Sequence, residues 1–170
     1  RAIKGTLYDG GVRVPFLVSW PAKLPAATTF EHPVSSLDVF ATALAAAGVA
    51  MSTDKKYDSV NIIPHLAGEV KTPPHERLFW RMHGKQSFAV REANWKLFRT
   101  GETAAELYNL ATDPGEKNNV ATENTEVTAR LTATLEAWHK ELIDPVFPGS
   151  SIKSEDWGPG GSNQKNTPPK

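Results

Sequence analysis

Residues 4–15 read KGTLYDGGVRVP, and the rest of the chain is organised around this glycine-rich stretch. Gly5, Gly10 and Gly11 allow positive backbone φ angles and the close approach of another group. Lys4 adds a mobile ammonium with three donors. A turn of this composition can direct the ammonium and backbone N–H groups toward an anion. The alternative is a plain connecting loop with a solvated lysine, because short glycine-containing patterns are weak indicators of a site.

Two regular elements are predicted after this stretch. Residues 15–20, PFLVSW, read as a buried strand that would hold the loop rigidly. Residues 34–48 predict a helix, because their apolar side chains recur at helical spacing. Ser35 or Ser36 can cap its beginning, and Gly48 suits the left-handed position that ends a helix.

The second half of the chain predicts an antiparallel sheet packed against a helix. Short runs of aromatic and aliphatic residues alternate with polar ones, as in half-buried antiparallel strands. These runs are residues 77–82, 87–91 and 95–99, with a further strand or bridging segment at 106–110. Residues 124–142 carry one apolar stripe at helical spacing, which can cover a face of the sheet. The predicted fold class of this chain is therefore α+β.

Composition excludes several classes of protein. The 170 residues include 19 basic and 19 acidic ones, so the zero net charge gives no electrostatic case for binding nucleic acid. The apolar stretches are too short to span a bilayer. Without cysteine, this sequence has no disulfide, no thiolate metal site and no cysteine nucleophile. The five histidines show no metal-ligand spacing, so no metal site is predicted.

Segments along the chain resemble, in order, those of formylglycine-dependent sulfatases. The run KGTLYDGGVRVPFLVSWP is similar to the segment that carries the family's late active-site lysine. SSLDVFATALAAAG and NIIPHLAGE resemble the helix and the segment that follow it. ERLFWR, AVREANWKLFR and ELYNLATDPGEKNNVA resemble the C-terminal subdomain. Several ordered matches across roughly residues 3–142 are far more specific than one short motif.

The resemblance implies an arylsulfatase-like member of the alkaline-phosphatase superfold. Such enzymes have a large N-terminal α/β domain, followed by a small antiparallel sheet packed on a C-terminal helix. Lys4 falls on the lysine that contacts the substrate sulfate in the family. Hydrolysis of a sulfate ester requires fixed positive groups around the sulfate oxygens, so this assignment agrees with the chemistry.

The resemblance also implies cofactors and partners. Calcium and formylglycine are implied for the full-length enzyme, and no residue of this chain is expected to bind either. The implied partners are the N-terminal sulfatase domain and a sulfated carbohydrate or aryl sulfate substrate. The implied location is periplasmic, secreted or lysosomal. Because the Cys-x-Pro-x-Arg nucleophile signature is not in this sequence, the 170-residue chain alone is predicted to be inactive.

Four further residues of the glycine-rich stretch, and one histidine, are candidate site residues. Asp9 stands where the family usually has glutamate, so the charge is kept while a local ion pair would be loosened. We expect Asp9, Gly10, Gly11 and Arg13 to be structural at the site rather than catalytic. His83 is a candidate substrate-binding residue, because specificity residues favour loops on a rigid scaffold. The alternative for His83 is an ordinary surface histidine.

Domain organisation follows from a proline-rich break and from the resemblance. Residues 72–75, TPPH, mark a boundary because proline fixes φ and restricts its predecessor. Residues 1–72 are then the C-terminal end of the catalytic α/β domain, residues 73–147 the sheet and helix subdomain, and residues 148–170 a disordered tail. The sequence begins without methionine and reads as part of a longer protein. The functional alternative is a noncatalytic remnant, or a module that binds carbohydrate or a partner.

Overall fold

The computed structural model describes residues 1–82 and 86–143. In chain order these contain α1 (Asp9–Val12), α2 (Asp38–Ala46), α3 (Ile63–Leu66), β1 (Arg77–Met82), β2 (Ser87–Glu92), β3 (Trp95–Thr100), β4 (Glu106–Asn109) and α4 (Thr125–Glu141). His83 and the tail predicted at residues 148–170 lie outside the described residues. None of the described helices is long and apolar enough to cross a membrane.

The four strands form one antiparallel sheet in the order β1-β2-β3-β4. Strands β2 and β3 are joined by a two-residue turn, in which Ala93 adopts a φ of 49° and Asn94 accepts a hydrogen bond of 2.7 Å from the N–H of Leu110. The predicted antiparallel sheet and C-terminal helix are therefore confirmed. The chain is α+β in the residues that the structure describes.

Both faces of the sheet are covered. Helix α4 covers one face through a core formed by Phe88, Val90, Leu97, Leu107, Leu131 and Leu135. The N-terminal segment covers the opposite face through a second core formed by Leu7, Tyr8, Ala89, Phe98 and Tyr108. The prediction of half-buried strands was wrong for the middle of β2 and β3, where consecutive residues are buried. The second face of the sheet is covered by the N-terminal segment, which precedes β2 by some 80 residues in the sequence.

The buried strand predicted at residues 15–20 is not formed. Leu17 is 95% exposed, and Phe16 and Val18 are also exposed. An extended segment becomes a strand only when a neighbour supplies ladder hydrogen bonds. In the described part of the chain, the four strands of the sheet pair only with one another. The apolar sequence is therefore present, but the partner that would make it a buried strand is not among the described residues.

The first long helix is shorter than predicted, because α2 spans Asp38–Ala46 rather than residues 34–48. Residues 36 and 37 form a turn ahead of it. The Ser35 hydroxyl accepts the Leu37 N–H at 3.2 Å, and the Asp38 carboxylate accepts the Ser35 N–H at 2.7 Å. These two contacts close the turn ahead of α2, whose N-cap residue is Leu37. Gly48 adopts a φ of +69°, so the predicted helix stop is confirmed.

Candidate functional site

The loop that carries Lys4 is folded tightly against α1. Lys4 is exposed, and Gly5 has a φ of +82°, the left-handed conformation that suits glycine. A Cβ added to Gly10 would lie 2.2 Å from the carbonyl oxygen of Ala2, and one added to Gly11 would lie 2.2 Å from that of Thr6. Gly5 therefore makes the turn, whereas Gly10 and Gly11 let two backbone segments touch.

The backbone N–H groups of α1 are used within the chain. Gly10 donates to Arg1 O at 3.2 Å, while Gly11 and Val12 donate to Tyr8 O at 2.8 and 3.1 Å. Arg13, whose side chain is exposed, donates its N–H to Asp9 O at 2.9 Å. The suggestion that the N–H groups of the Gly-Gly pair face an anion was therefore wrong.

A cleft of about 400 Å³ adjoins the Lys4 loop. Its walls are Gly5, Thr6, Leu7, Tyr8, Ser87, Phe98 and Thr100. Ser87 begins β2 and Thr100 ends β3, and their hydroxyl oxygens lie 3.2 Å apart. The cleft therefore lies between the residues that follow Lys4 and the end of the sheet where β2 begins and β3 ends. This cleft, together with Lys4, is the candidate site.

A buried charge cluster lies behind the candidate site. The ammonium of Lys96, on β3, lies 2.6 Å from Asp9 Oδ1 and 2.8 Å from Glu116 Oε1. The other carboxylate oxygen of Glu116 accepts the Asp9 N–H at 2.7 Å. The side chains of Lys96 and Glu116 are completely buried. Despite the shorter acid at position 9, the ion pair that it forms is close.

An aromatic and acidic group secures the N-terminal segment at the edge of the sheet. Glu106 accepts hydrogen bonds from the hydroxyls of Tyr8, at 2.7 Å, and Tyr108. Burial raises the pKa of Tyr8 to about 12, and the hydrogen bond to Glu106 acts in the same direction. The pKa of Tyr108 is raised for the same reasons. The rings of Tyr8 and Phe98 lie 4.4 Å apart, so Tyr8 is held by packing as well as by hydrogen bonding.

A larger cleft, of about 480 Å³, lies at the other end of the strands. Its walls are Glu31, His32, Pro33, Pro73, His75, Glu76, Arg77, Leu78, Arg91, Glu92, Ala93 and Asn94. Arg77 is already neutralised there, by Glu76 at 2.5 Å and by Glu92 at 2.6 Å. Lys4 and its neighbours do not line this cleft, so size alone does not identify the site. We place the candidate site at the smaller cleft because Gly5, the residue after Lys4 in the chain, lines it.

Lys96 and Glu116 were not singled out from the sequence. A lysine within a strand ordinarily lies on a solvent face, and Glu116 stands in a turn sequence, DPGE, that explains itself locally. The available signal was that Lys96 sits between Trp95 and Leu97 in an otherwise apolar run. In the structure, Glu116 has a φ of 51°. This is a left-handed conformation that the neighbouring Gly115 would adopt more readily.

The described residues do not fit a calcium site. Within residues 1–82 and 86–143, no group of three or more histidine, aspartate or glutamate side chains is arranged to hold a metal ion. The acids at the candidate site are committed to other partners, since Asp9 and Glu116 share the Lys96 ammonium. Cysteine, the precursor of formylglycine, does not occur in the sequence.

Comparison with known proteins identifies the family. Residues 3–141 match the family described as N-sulphoglucosamine sulphohydrolase, C-terminal. The chain belongs to this sulfatase family. Similar proteins include bovine arylsulfatase A, 33% identical over 71% of this chain and 28% of that protein. Another is the N-acetylgalactosamine-6-O-sulfatase of Bacteroides thetaiotaomicron, 28% identical over 81% of this chain and 29% of that protein.

Solved structures agree with the assignment to the sulfatase family. The chain superimposes on the crystal structure of Ps i-CgsB with a TM-score of 0.70 and 26% identity, over 81% of this chain and 31% of that one. A Bacteroides thetaiotaomicron protein described as BT33336S-sulf gives a TM-score of 0.66 and 27% identity, over 78% and 30%. The chain therefore spans about a third of these structures and of the sulfatases named above.

Proposed function

We propose that this chain is the C-terminal part of an enzyme that hydrolyses sulfate esters, and that Lys4 binds the sulfate group. The observation that carries the proposal is the position of Lys4. Lys4 is an exposed cation, and the residues that directly follow it, 5–8, line a cleft. The segment packs on the sheet through a buried core and a buried charge cluster. The family match over residues 3–141 supplies the reaction class.

The chemistry of the reaction gives Lys4 a specific role. When the S–O bond to the leaving oxygen breaks, negative charge is spread over the nonbridging sulfate oxygens and the departing oxygen. A fixed ammonium stabilises that charge more than it stabilises the ground state, which is the requirement for catalysis. Because the N–H groups of α1 are bonded within the chain, the proposal assigns the binding charge to the Lys4 side chain. Lys4 therefore orients the sulfate and neutralises its charge.

The remaining chemistry is assigned to the rest of the enzyme. In this proposal, formylglycine and calcium would be held by residues outside this chain, and formylglycine would supply the nucleophile. Residues 1–72 complete the catalytic α/β domain, while residues 73–147 form the C-terminal subdomain. The separate 170-residue chain is expected to be inactive toward sulfate esters.

We propose a sulfated carbohydrate or an aryl sulfate as the substrate. Both classes appear among the similar proteins, whose names include arylsulfatase A and N-acetylgalactosamine-6-O-sulfatase. Ps i-CgsB has also been crystallised with a neocarrahexaose. His83 follows β1 and remains a proposed contact to the substrate. A periplasmic, secreted or lysosomal location is proposed with the same family in view.

The test is turnover of a chromogenic aryl sulfate and of a sulfated oligosaccharide by the full-length protein. Lys4→Ala should lower kcat/KM by about 100- to 1,000-fold, as loss of a single charge-stabilising group does. Lys71→Ala, at another exposed lysine, is the matched control and should leave kcat/KM unchanged. If Lys4→Ala were as active as the control, the proposal for Lys4 would be wrong, and a noncatalytic binding module would be the better description.

A further inference from the structure

The segment that carries Lys4 is connected to the sheet by a chain of short contacts. Asp9 begins α1, and its side chain pairs with Lys96 while its N–H donates to Glu116. Glu116 completes the link because its second oxygen pairs with Lys96 at 2.8 Å. Lys96 and Glu116 are 87 and 107 residues from Asp9 in the sequence. Three distant parts of the chain therefore meet at the Lys96 ammonium.

The contacts continue from α1 to Lys4 through backbone atoms. The Gly10 N–H is hydrogen-bonded to Arg1 O, and neither Gly10 nor Gly11 has room for a Cβ against the carbonyl oxygens of residues 1–6. Backbone contacts of this kind cannot be relieved by a rotamer change. A displacement of α1 must therefore displace the residues on either side of Lys4. The backbone around Lys4 is therefore coupled to Lys96 through α1.

The cluster is also electrostatically demanding. Burying an ammonium and two carboxylates is costly unless each has partners. The Lys96 ammonium supplies both acids with a counter-charge, and it lies 5.9 Å from the centre of the Trp80 ring. The Arg91 guanidinium, whose pKa is lowered by burial, interacts favourably with Asp9 and Glu116. Without Lys96, Asp9 and Glu116 would lose the one counter-charge that both of them contact directly.

We propose that Lys96 is a positioning residue for the sulfate-binding lysine, acting through Asp9 and Glu116, and this inference rests on the proposed function. Lys96 does not touch the substrate. It fixes α1 on the sheet, and α1 fixes the backbone on both sides of Lys4. A misplacement of about 1 Å at a reacting group lowers rates by as much as 100-fold. Holding the backbone around Lys4 in one position should therefore raise the rate of catalysis.

The decisive experiment is a double-mutant cycle in the full-length protein. Lys96→Met should lower kcat/KM by about 10- to 100-fold when Lys4 is present. In the Lys4→Ala background the same substitution should change kcat/KM less than about twofold, because coupled residues are not additive. Equal effects of Lys96→Met in the two backgrounds would overturn the inference, even with Lys4→Ala strongly impaired.

Two companion variants separate positioning from general loss of stability. The combination Asp9→Asn, Lys96→Met, Glu116→Gln neutralises the three residues of the cluster together, so that neither acid is left buried without the Lys96 ammonium. It should fold and retain the loss of kcat/KM. Leu131→Ala, in the core on the opposite face of the sheet, should lower thermal stability with little change in kcat/KM. Full activity of the triple variant, in which the cluster is neutral, would overturn the inference.

Amide hydrogen exchange in the 170-residue chain gives a readout that is independent of activity. Lys96→Met should speed exchange of residues 9–12, whereas Leu131→Ala should speed exchange in α4. Unchanged exchange at residues 9–12 would show that the coupling does not exist. If the coupling is observed but Lys4→Ala is fully active, the proposed function fails instead, and Lys96 has no sulfate ligand to position.

Discussion

The imidazole Nε2 of His75 lies 2.9 Å from Oδ1 and 2.8 Å from Oδ2 of Asp38, whose side chain is completely buried. The same carboxylate accepts the N–H of Ser35 at 2.7 Å and that of Val60 at 2.9 Å. One acid at the start of α2 therefore joins the helix cap, the loop before α3 and the segment before β1. It organises the part of the chain that lies outside the two cores of the sheet.

Loss of the imidazole should destabilise this region. We expect His75→Ala to lower the free energy of unfolding by about 1–3 kcal/mol, because the buried carboxylate then loses the imidazole and keeps only the N–H groups of Ser35 and Val60. The measurement is urea unfolding of the 170-residue chain at neutral pH. His32→Ala, at an exposed histidine, is the control and should have little effect. Equal losses in the two variants would mean that the contact with Asp38 does not stabilise the fold.

A methyl group at position 10 should disturb the Lys4 loop. The Cβ of Gly10→Ala would lie 2.2 Å from Ala2 O, which is backbone and cannot rotate away. Overpacking of this kind costs about 1–3 kcal/mol. The control is Gly115→Ala, whose Cβ would be 3.3 Å from the flexible end of Lys117 and should be tolerated. Urea unfolding measures both, and a Gly10→Ala as stable as the control would contradict the close backbone contact.

The raised pKa values of Tyr8 and Tyr108 predict a loss of stability at alkaline pH. An unfolded tyrosine ionises near pH 10, whereas burial raises the pKa of Tyr8 to about 12. The folded pKa is the higher one, so this contribution to stability is complete below about pH 10 and is lost as the pH rises toward 12. The free energy of unfolding should therefore fall across that interval.

Ultraviolet absorbance of tyrosinate tests the same prediction directly. The chain has three tyrosines, so Tyr57→Phe leaves an absorbance change that reports Tyr8 and Tyr108 alone. Ionisation of the folded variant should occur above the midpoint of the same protein in concentrated urea. Coincident titration curves would show that the hydroxyls are not shielded by burial and by Glu106.

The exposed apolar side chains predict association of the isolated chain. Leu17 is 95% exposed and Val14 is 68% exposed, while Leu37 and Val39 of the first long helix region are each more than half exposed. Such patches bind apolar dyes and promote self-association. Leu17→Ser should lower dye fluorescence and the sedimentation-average mass without changing the urea midpoint. A monomeric wild-type chain that binds no dye would refute this expectation.

The sequence was sufficient for elements whose signal is local. The sequence predicted three strands and the last helix to within one or two residues of their observed ends: the strands beginning at Arg77, Ser87 and Trp95, and α4. Alternation and helical spacing can be recognised from consecutive residues alone. The prediction of a buried strand at residues 15–20 was wrong, because a strand depends on a pairing partner that periodicity does not reveal. The double coverage of the sheet was missed for a related reason, since the covering segment is distant in the sequence.

The candidate site was partly predictable in the same way. Lys4 and the three glycines were visible as an unusual local composition, and family resemblance gave Lys4 a role that remains a prediction. The meeting of Asp9, Lys96 and Glu116 could not be read from any one segment, because the three residues belong to parts of the chain that are far apart in the sequence. Only the packing of the N-terminal segment on the sheet brings the three charges together.

The buried Lys96 also affects which alignment of β3 the chain can adopt. In the observed pairing, Lys96 lies opposite Arg91 and Tyr108, and Leu97 lies opposite Val90 and Leu107. A slip of one residue would turn every side chain of β3 to the other face of the sheet. Lys96 would then place its ammonium among leucines of the α4 core, while Leu97 would face two unpaired acids. The mispaired sheet is excluded by the cost of misplacing one charge, whereas two purely apolar faces would tolerate the slip far better.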